Sequence, residues 1–135
     1  MNKAIFRYIE HELYHYEVTK QAIEDMREDI ISEVPQMSGD VVSSFTISDT
    51  TQKKATRLIT NAALLRMSKT TESIDRALDK LEDVHRQLFY LKYQERKKWR
   101  EVCEELPTSE RTYFRVRREL VLMVALELGM TSNVE

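Results

Sequence analysis

The chain has one cysteine, two glycines and two prolines in 135 residues. A lone cysteine, Cys103, excludes an intramolecular disulfide framework and fits a reducing cytoplasm. So few glycines and prolines exclude the many tight turns of an all-β fold. The apolar run from Leu120 to Leu126 falls well short of the roughly twenty residues that cross a bilayer. The opening MNKAIFRYIEHELYH interleaves charges with apolar residues and lacks the apolar core of a signal peptide. Glycine-rich phosphate loops and serine or paired-carboxylate catalytic signatures are absent too, so no enzyme, catalytic residue or cofactor is expected. What remains is a soluble, cytoplasmic, all-α protein with no membrane partner.

Apolar residues make up 41% of the chain and charged residues 33%, enough for a modest core beneath a well-solvated surface. The formal net charge of −2 hides an uneven distribution. From Arg86 to Arg118 ten basic side chains face five acidic ones, leaving the remainder of the chain strongly acidic. A basic block in an acidic protein points to an anionic partner, although a solvated, salt-bridged face has the same composition.

In chain order, Ile5, Ile9, Leu13 and Tyr16, then Ile23, Met26 and Ile30, recur at spacings of three and four. They predict one helix over residues 2–33, within an N-terminal segment 1–34 that Pro35 closes. Residues 35–48 read as a linker with room for a short strand, and 49–83 as a central helical region. Asp49 and Gln52 have capping-box spacing at its start. Ile59, Ala62, Ala63 and Met67 supply a first apolar face, and Ile74, Leu78, Leu81, Val84 and Leu88 extend it. Between them Ser68 to Ser73, SKTTES, predicts a loosened helix or a break, leaving one helix or two open. Residues 84–129 carry three short helical segments, and 130–135 form a fraying tail.

The last of these segments is the most informative. Pro107 ends the helix that holds Trp99, Val102, Cys103 and Leu106, and Ser109 caps the next, with Thr108 as the other candidate. At about 100° per residue, Tyr113, Val116, Leu120 and Val124 fall on one side and Arg111, Arg115 and Arg118 on the opposite side, with Phe114 at the boundary. This is the pattern of a helix-turn-helix, whose second helix enters the DNA major groove. Arg111, Arg115 and Arg118 would read base edges, and Phe114 a thymine methyl. Lys97, Lys98, Arg100, Ser109 and Thr112 would hold the phosphate backbone. Beyond Glu119 the helix is apolar nearly all round, through Val121, Leu122, Met123, Ala125 and Leu126, so earlier helices or another subunit must cover it. Gly129 is its natural stop. His11 and His15, an i, i+4 pair, read as packing or surface residues rather than metal ligands. Cys103 reads as a packed thiol and Trp99 as a core anchor.

LFYLKY, KKWREVCEEL and TSERTYFRVRREL resemble the helix-turn-helix of sigma-factor region four. Over nearly the whole chain, IFRYIEHELYHYEVTKQAIEDMREDII, ISDTTQKKATRL and ALELG resemble, in order, the RinA-type or ArpU-like phage regulators. That resemblance implies a transcriptional activator of late phage genes for packaging and structural functions. Its partners would be promoter double-stranded DNA, host RNA polymerase and a second copy as a homodimer. The rival readings are a ring-forming, small-terminase-like packaging subunit and a pure polymerase-binding protein whose arginine face meets an acidic surface.

Overall fold

The structure, a computed structural model, describes residues 2–32 and 47–130. It is all-helical, with no strand among the described residues. The elements are α1 (Lys3–Tyr14), α2 (Tyr16–Ser32), α3 (Ile47–Lys80), α4 (Asp83–Leu88), a π-helical segment (Phe89–Gln94), α5 (Trp99–Glu105) and α6 (Glu110–Glu127). The Pro35 stop, the linker with its room for a short strand, and the tail beyond Met130 lie outside the described residues, save Ile47 and Ser48, which belong to α3.

The N-terminal helix is two helices rather than the one expected. Asn2 starts α1 by accepting the Ala4 amide at 2.8 Å. At His15 the backbone leaves helical geometry (φ −98°, ψ 9°). There the imidazole Nδ1 sits 2.7 Å from the His11 carbonyl, which also accepts the His15 amide. The side chain thus shares the carbonyl that sustains the helix, and α2 starts at the next residue. α1 packs on α6 and the π-helical segment, whereas α2 packs on α3.

α3 corrects three expectations. It begins at Ile47, so Asp49 lies inside the helix and not at its cap. It runs unbroken through Ser68 to Ser73, where a break or loosening was expected. Thr70 donates to the Arg66 carbonyl at 3.0 Å and Thr71 to the Met67 carbonyl at 3.2 Å, so the hydroxyls are satisfied within the helix. Thr71 and Ser73 are buried against the rest of the fold, and tertiary packing outweighs weak propensity. The third correction concerns the first apolar face: Ile59 is 71% exposed and Ala62 is exposed. The helix stops at Lys80, and the Arg86 guanidinium donates to the Leu78 and Leu81 carbonyls at 2.6 and 2.8 Å.

The core gathers on α6. Tyr113, Val116, Leu120, Val121, Val124 and Ala125 meet Ile9 and Leu13 of α1, Ile74 and Ala77 of α3, Leu88 of α4 and Val102 of α5. The apolar tail of α6 is therefore covered by its own chain, except Leu126, which is half exposed. Arg76 (3.1 Å) and Lys80 both grip Glu127, fastening α3 to the end of α6. Gly129, at φ +73°, closes α6: its amide bonds the Leu126 carbonyl and that of Met130 bonds Ala125.

Candidate nucleic-acid interface

α5 and α6 are joined by the short turn Leu106–Ser109. Ser109 is the cap: its Oγ accepts the Thr112 amide at 3.1 Å and donates to Thr112 Oγ1 at 3.0 Å. The Ser109 hydroxyl hydrogen is thereby used inside the turn, while Thr112 keeps its own to give to a ligand. Tyr113, Val116, Leu120 and Val124 are all nearly inaccessible, and Arg111, Phe114, Arg115 and Arg118 are all exposed. The four residues expected to read bases thus share the solvent side of one helix whose back is locked into the core.

Their electrostatic states differ. Arg111 and Arg118 make no ion pair among the described residues. Arg115 does, with Glu119 at 3.1 Å. Glu119 also lies 3.5 Å from Nε2 of the buried His85. The five expected backbone-holding residues divide similarly. Lys98 carries no ion pair among the described residues, and Arg100 lies over the Trp99 ring at 5.2 Å. Lys97 is engaged by Glu95 at 3.2 Å and by Glu105. Hydrogen bonding to Glu105, against some desolvation and helped by Glu95, holds its ammonium above the ordinary lysine value.

The structure adds a feature that the spacing of residues did not reveal. Between the start of α5, the first turns of α6 and the end of α1 lies a basin of about 650 Å³. Six cations line it, Lys92, Arg96, Lys97, Lys98, Arg100 and Arg117, against one acid, Glu101. Tyr14, Trp99, Tyr113 and Phe114 supply aromatic walls. Trp99 and Phe114 have ring centroids 6.3 Å apart, so Trp99 is half a core anchor and half a basin wall. Phe114 belongs both to the basin and to the arginine face.

The π-helical segment builds this basin. Its widened turns close with the Glu95 amide on the Tyr90 carbonyl at 2.9 Å. The chain then reverses at Arg96, whose φ of +57° is left-handed without a glycine. Arg96 is held there by a 3.3 Å bond to the Tyr14 carbonyl and by lying 5.2 Å over the Tyr14 ring. Lys92, Arg96 and Tyr14 were missed as site residues. The available signal was Lys92 and Arg96 inside the basic block, but nothing in the sequence brings Tyr14 to them.

Arg117 lines the basin yet has another task. Its guanidinium forks onto Glu10 at 2.6 and 2.9 Å, and the Tyr93 hydroxyl donates to the same carboxylate at 2.7 Å. Burial acts to raise the Glu10 pKa, but the hydrogen bonds from Arg117 and Tyr93 outweigh it and hold the carboxyl below its ordinary value. This network ties α1 and the π-helical segment to α6. A family of proteins of unknown function, DUF722, matches residues 1–125. The chain belongs to this family. The match takes in α1 through all but the last two residues of α6, so the body and the arginine-bearing helix are one family unit. No curated protein and no solved structure matches the chain.

Elsewhere, the His11 and His15 rings stack at 4.1 Å. No group of three or more potential metal ligands occurs among the described residues. Among them, too, no helix is long and apolar enough to cross a membrane.

Proposed function

We propose that this chain is a sequence-specific, double-stranded-DNA-binding regulator of transcription, acting in a bacterial cytoplasm as an activator like the phage late-gene regulators its sequence resembles. One observation carries the reading: Arg111, Phe114, Arg115 and Arg118 stand together on the exposed side of α6 while Tyr113, Val116, Leu120 and Val124 anchor its back. A guanidinium fork fits O6 and N7 of guanine, and a helix held rigidly from behind presents it at fixed register. α6 is the recognition helix and α5 the helix that crosses the backbone. Lys98, Arg100 and Thr112 contact phosphates. Lys97, already neutralised by two carboxylates, contributes less than its charge suggests.

Two copies belong to the reading. α3 exposes Leu58, Ile59 and Leu65, each about 70% accessible. Ala55, Leu58, Ala62 and Leu65 repeat at three and four. From Thr51 to Thr70 that helix carries Lys53, Lys54, Arg57, Arg66 and Lys69 and no acid. α2 carries Glu17, Glu24, Asp25 and Glu28. α2 already packs on α3 within the chain, so a second copy meets the exposed apolar side of α3, and host RNA polymerase is the further protein partner of an activator. Selection of bound duplexes from a random pool, followed by footprinting, tests the function. A recurring, roughly palindromic site is expected; a pool that never enriches would overturn it.

A further inference from the structure

The basin beside α6 poses a charge problem. Lys92 is half-buried, its Nζ donates to the Tyr14 hydroxyl at 3.1 Å, and no ion pair joins it to a carboxylate among the described residues. Its ammonium is ringed by Tyr93 at 5.2 Å, Tyr14 at 5.6 Å and Tyr113 at 6.0 Å. The Tyr14 and Tyr113 hydroxyls and the ring faces steady this cation, and the carboxylate that acts on it, Glu10, is already bonded by Arg117 and Tyr93. Arg96, Lys98 and Arg100 line the same basin, and they too have no ion pair among the described residues. Lys97 and Arg117 are answered by acids of their own, and Lys92 shares Glu10 with Arg117, so the lining keeps Arg96, Lys98 and Arg100 without an ion pair among the described residues, against Glu101.

We propose that this basin seats one nucleotide unit of the DNA backbone, its phosphate on Lys92 and Lys98 and its sugar edge against Trp99 and Phe114. The proposal rests on the DNA-binding reading above and extends it: the site includes the π-helical segment and, through Tyr14, the end of α1. Several converging donors around one concavity suit the oxygens of a phosphate better than a planar carboxylate. A space of about 650 Å³ takes a nucleotide unit rather than a bare ion. Phe114 joins the basin wall to the exposed arginines, so a backbone in the basin runs beside bases that those arginines reach. Because the basin joins α1 to the π-helical segment, α5 and α6, it fixes the orientation of the whole body on the duplex.

Trp99, the only tryptophan, reports on the basin directly. The full chain is titrated with the enriched duplex, a scrambled duplex and deoxythymidine monophosphate, following Trp99 emission, for the wild type, Lys92→Gln and Lys98→Gln. Both duplexes are expected to perturb Trp99. Each substitution is expected to weaken both duplexes by the same factor, about tenfold for one charge-assisted contact. Each should also lower the slope of log affinity against log salt by about one. Lys98 is exposed, so its variant folds even if that of Lys92 does not. Unchanged affinity and slope in folded Lys92→Gln, or a Trp99 emission that neither duplex moves although both bind, would overturn the basin and leave the DNA reading standing. Saturable Trp99 quenching by the mononucleotide but by neither duplex would assign the basin to a free nucleotide and overturn the proposal. A wild type that binds neither duplex removes the DNA reading and the proposal with it.

Discussion

Glu10 and Arg117, 107 residues apart, form a forked ion pair that joins the first helix to the helix bearing the exposed arginines. The carboxylate is further bonded by Tyr93, and the guanidinium lies 4.8 Å over the Phe6 ring. Loss of the carboxylate charge leaves a partly buried guanidinium without its partner. Glu10→Gln is therefore expected to lower stability by about 2 kcal/mol, the scale of a charged hydrogen bond. Urea unfolding at neutral pH measures this; a change within error would show that the pair is structurally idle.

The same pair sets a pH dependence. The folded Glu10 pKa lies below the ordinary value of 4.5. Its contribution is thus complete above that unfolded value and fades as pH falls through the lower folded one. The stability gap between wild type and Glu10→Gln should stay constant from neutral pH down to about 5.5 and then narrow towards pH 3. A gap that widens on acidification would contradict the assignment.

Glu119 restrains Arg115 at 3.1 Å on the exposed side of α6. Glu119→Gln removes a negative charge beside the surface proposed to meet DNA and frees the guanidinium. Duplex affinity should rise several-fold, most at low salt, where charge repulsion is least screened. Weaker binding would mean that Glu119 positions Arg115 productively.

Gly129 ends α6 at φ +73°, and an added Cβ would meet nothing within 4 Å. Gly129→Ala therefore isolates the backbone cost, about 1 kcal/mol of destabilisation. Thermal unfolding reads it directly, and a neutral result would mean that the helix end frays.

Leu58 and Leu65, both about 70% exposed, centre the surface assigned to a second copy. The double change Leu58→Glu, Leu65→Glu should leave the helical content intact and turn a dimer into a monomer in light scattering. A wild type that is already monomeric at micromolar concentration would contradict the pairing, and a ring of many subunits would favour the packaging alternative.

α6 was legible residue by residue because wheel position alone decides which of its sides is buried, and because Ser109 and Gly129 mark its ends with side-chain and backbone chemistry that acts locally. The unbroken α3 was not legible: SKTTES has poor helix propensity, and only contacts with distant helices make burial of Thr71 and Ser73 favourable. The π-helical segment leaves no periodic mark in six residues. Arg96 takes a left-handed turn that sequence normally signals with glycine, stabilised here by Tyr14 more than eighty residues earlier. The basin depends on that turn, so half of the candidate site emerges only from tertiary structure.

Under the proposed function the exposed arginines of α6 read DNA sequence. The most direct measurement compares wild type and the triple change Arg111→Ala, Arg115→Ala, Arg118→Ala for affinity to the enriched duplex and to a scrambled one at fixed salt. The triple variant is expected to keep its fold and much of its scrambled-duplex binding, yet to lose about a hundredfold or more in preference for the enriched site, given about 1–3 kcal/mol of discrimination per well-placed guanidinium. Undiminished preference in a folded triple variant would contradict it.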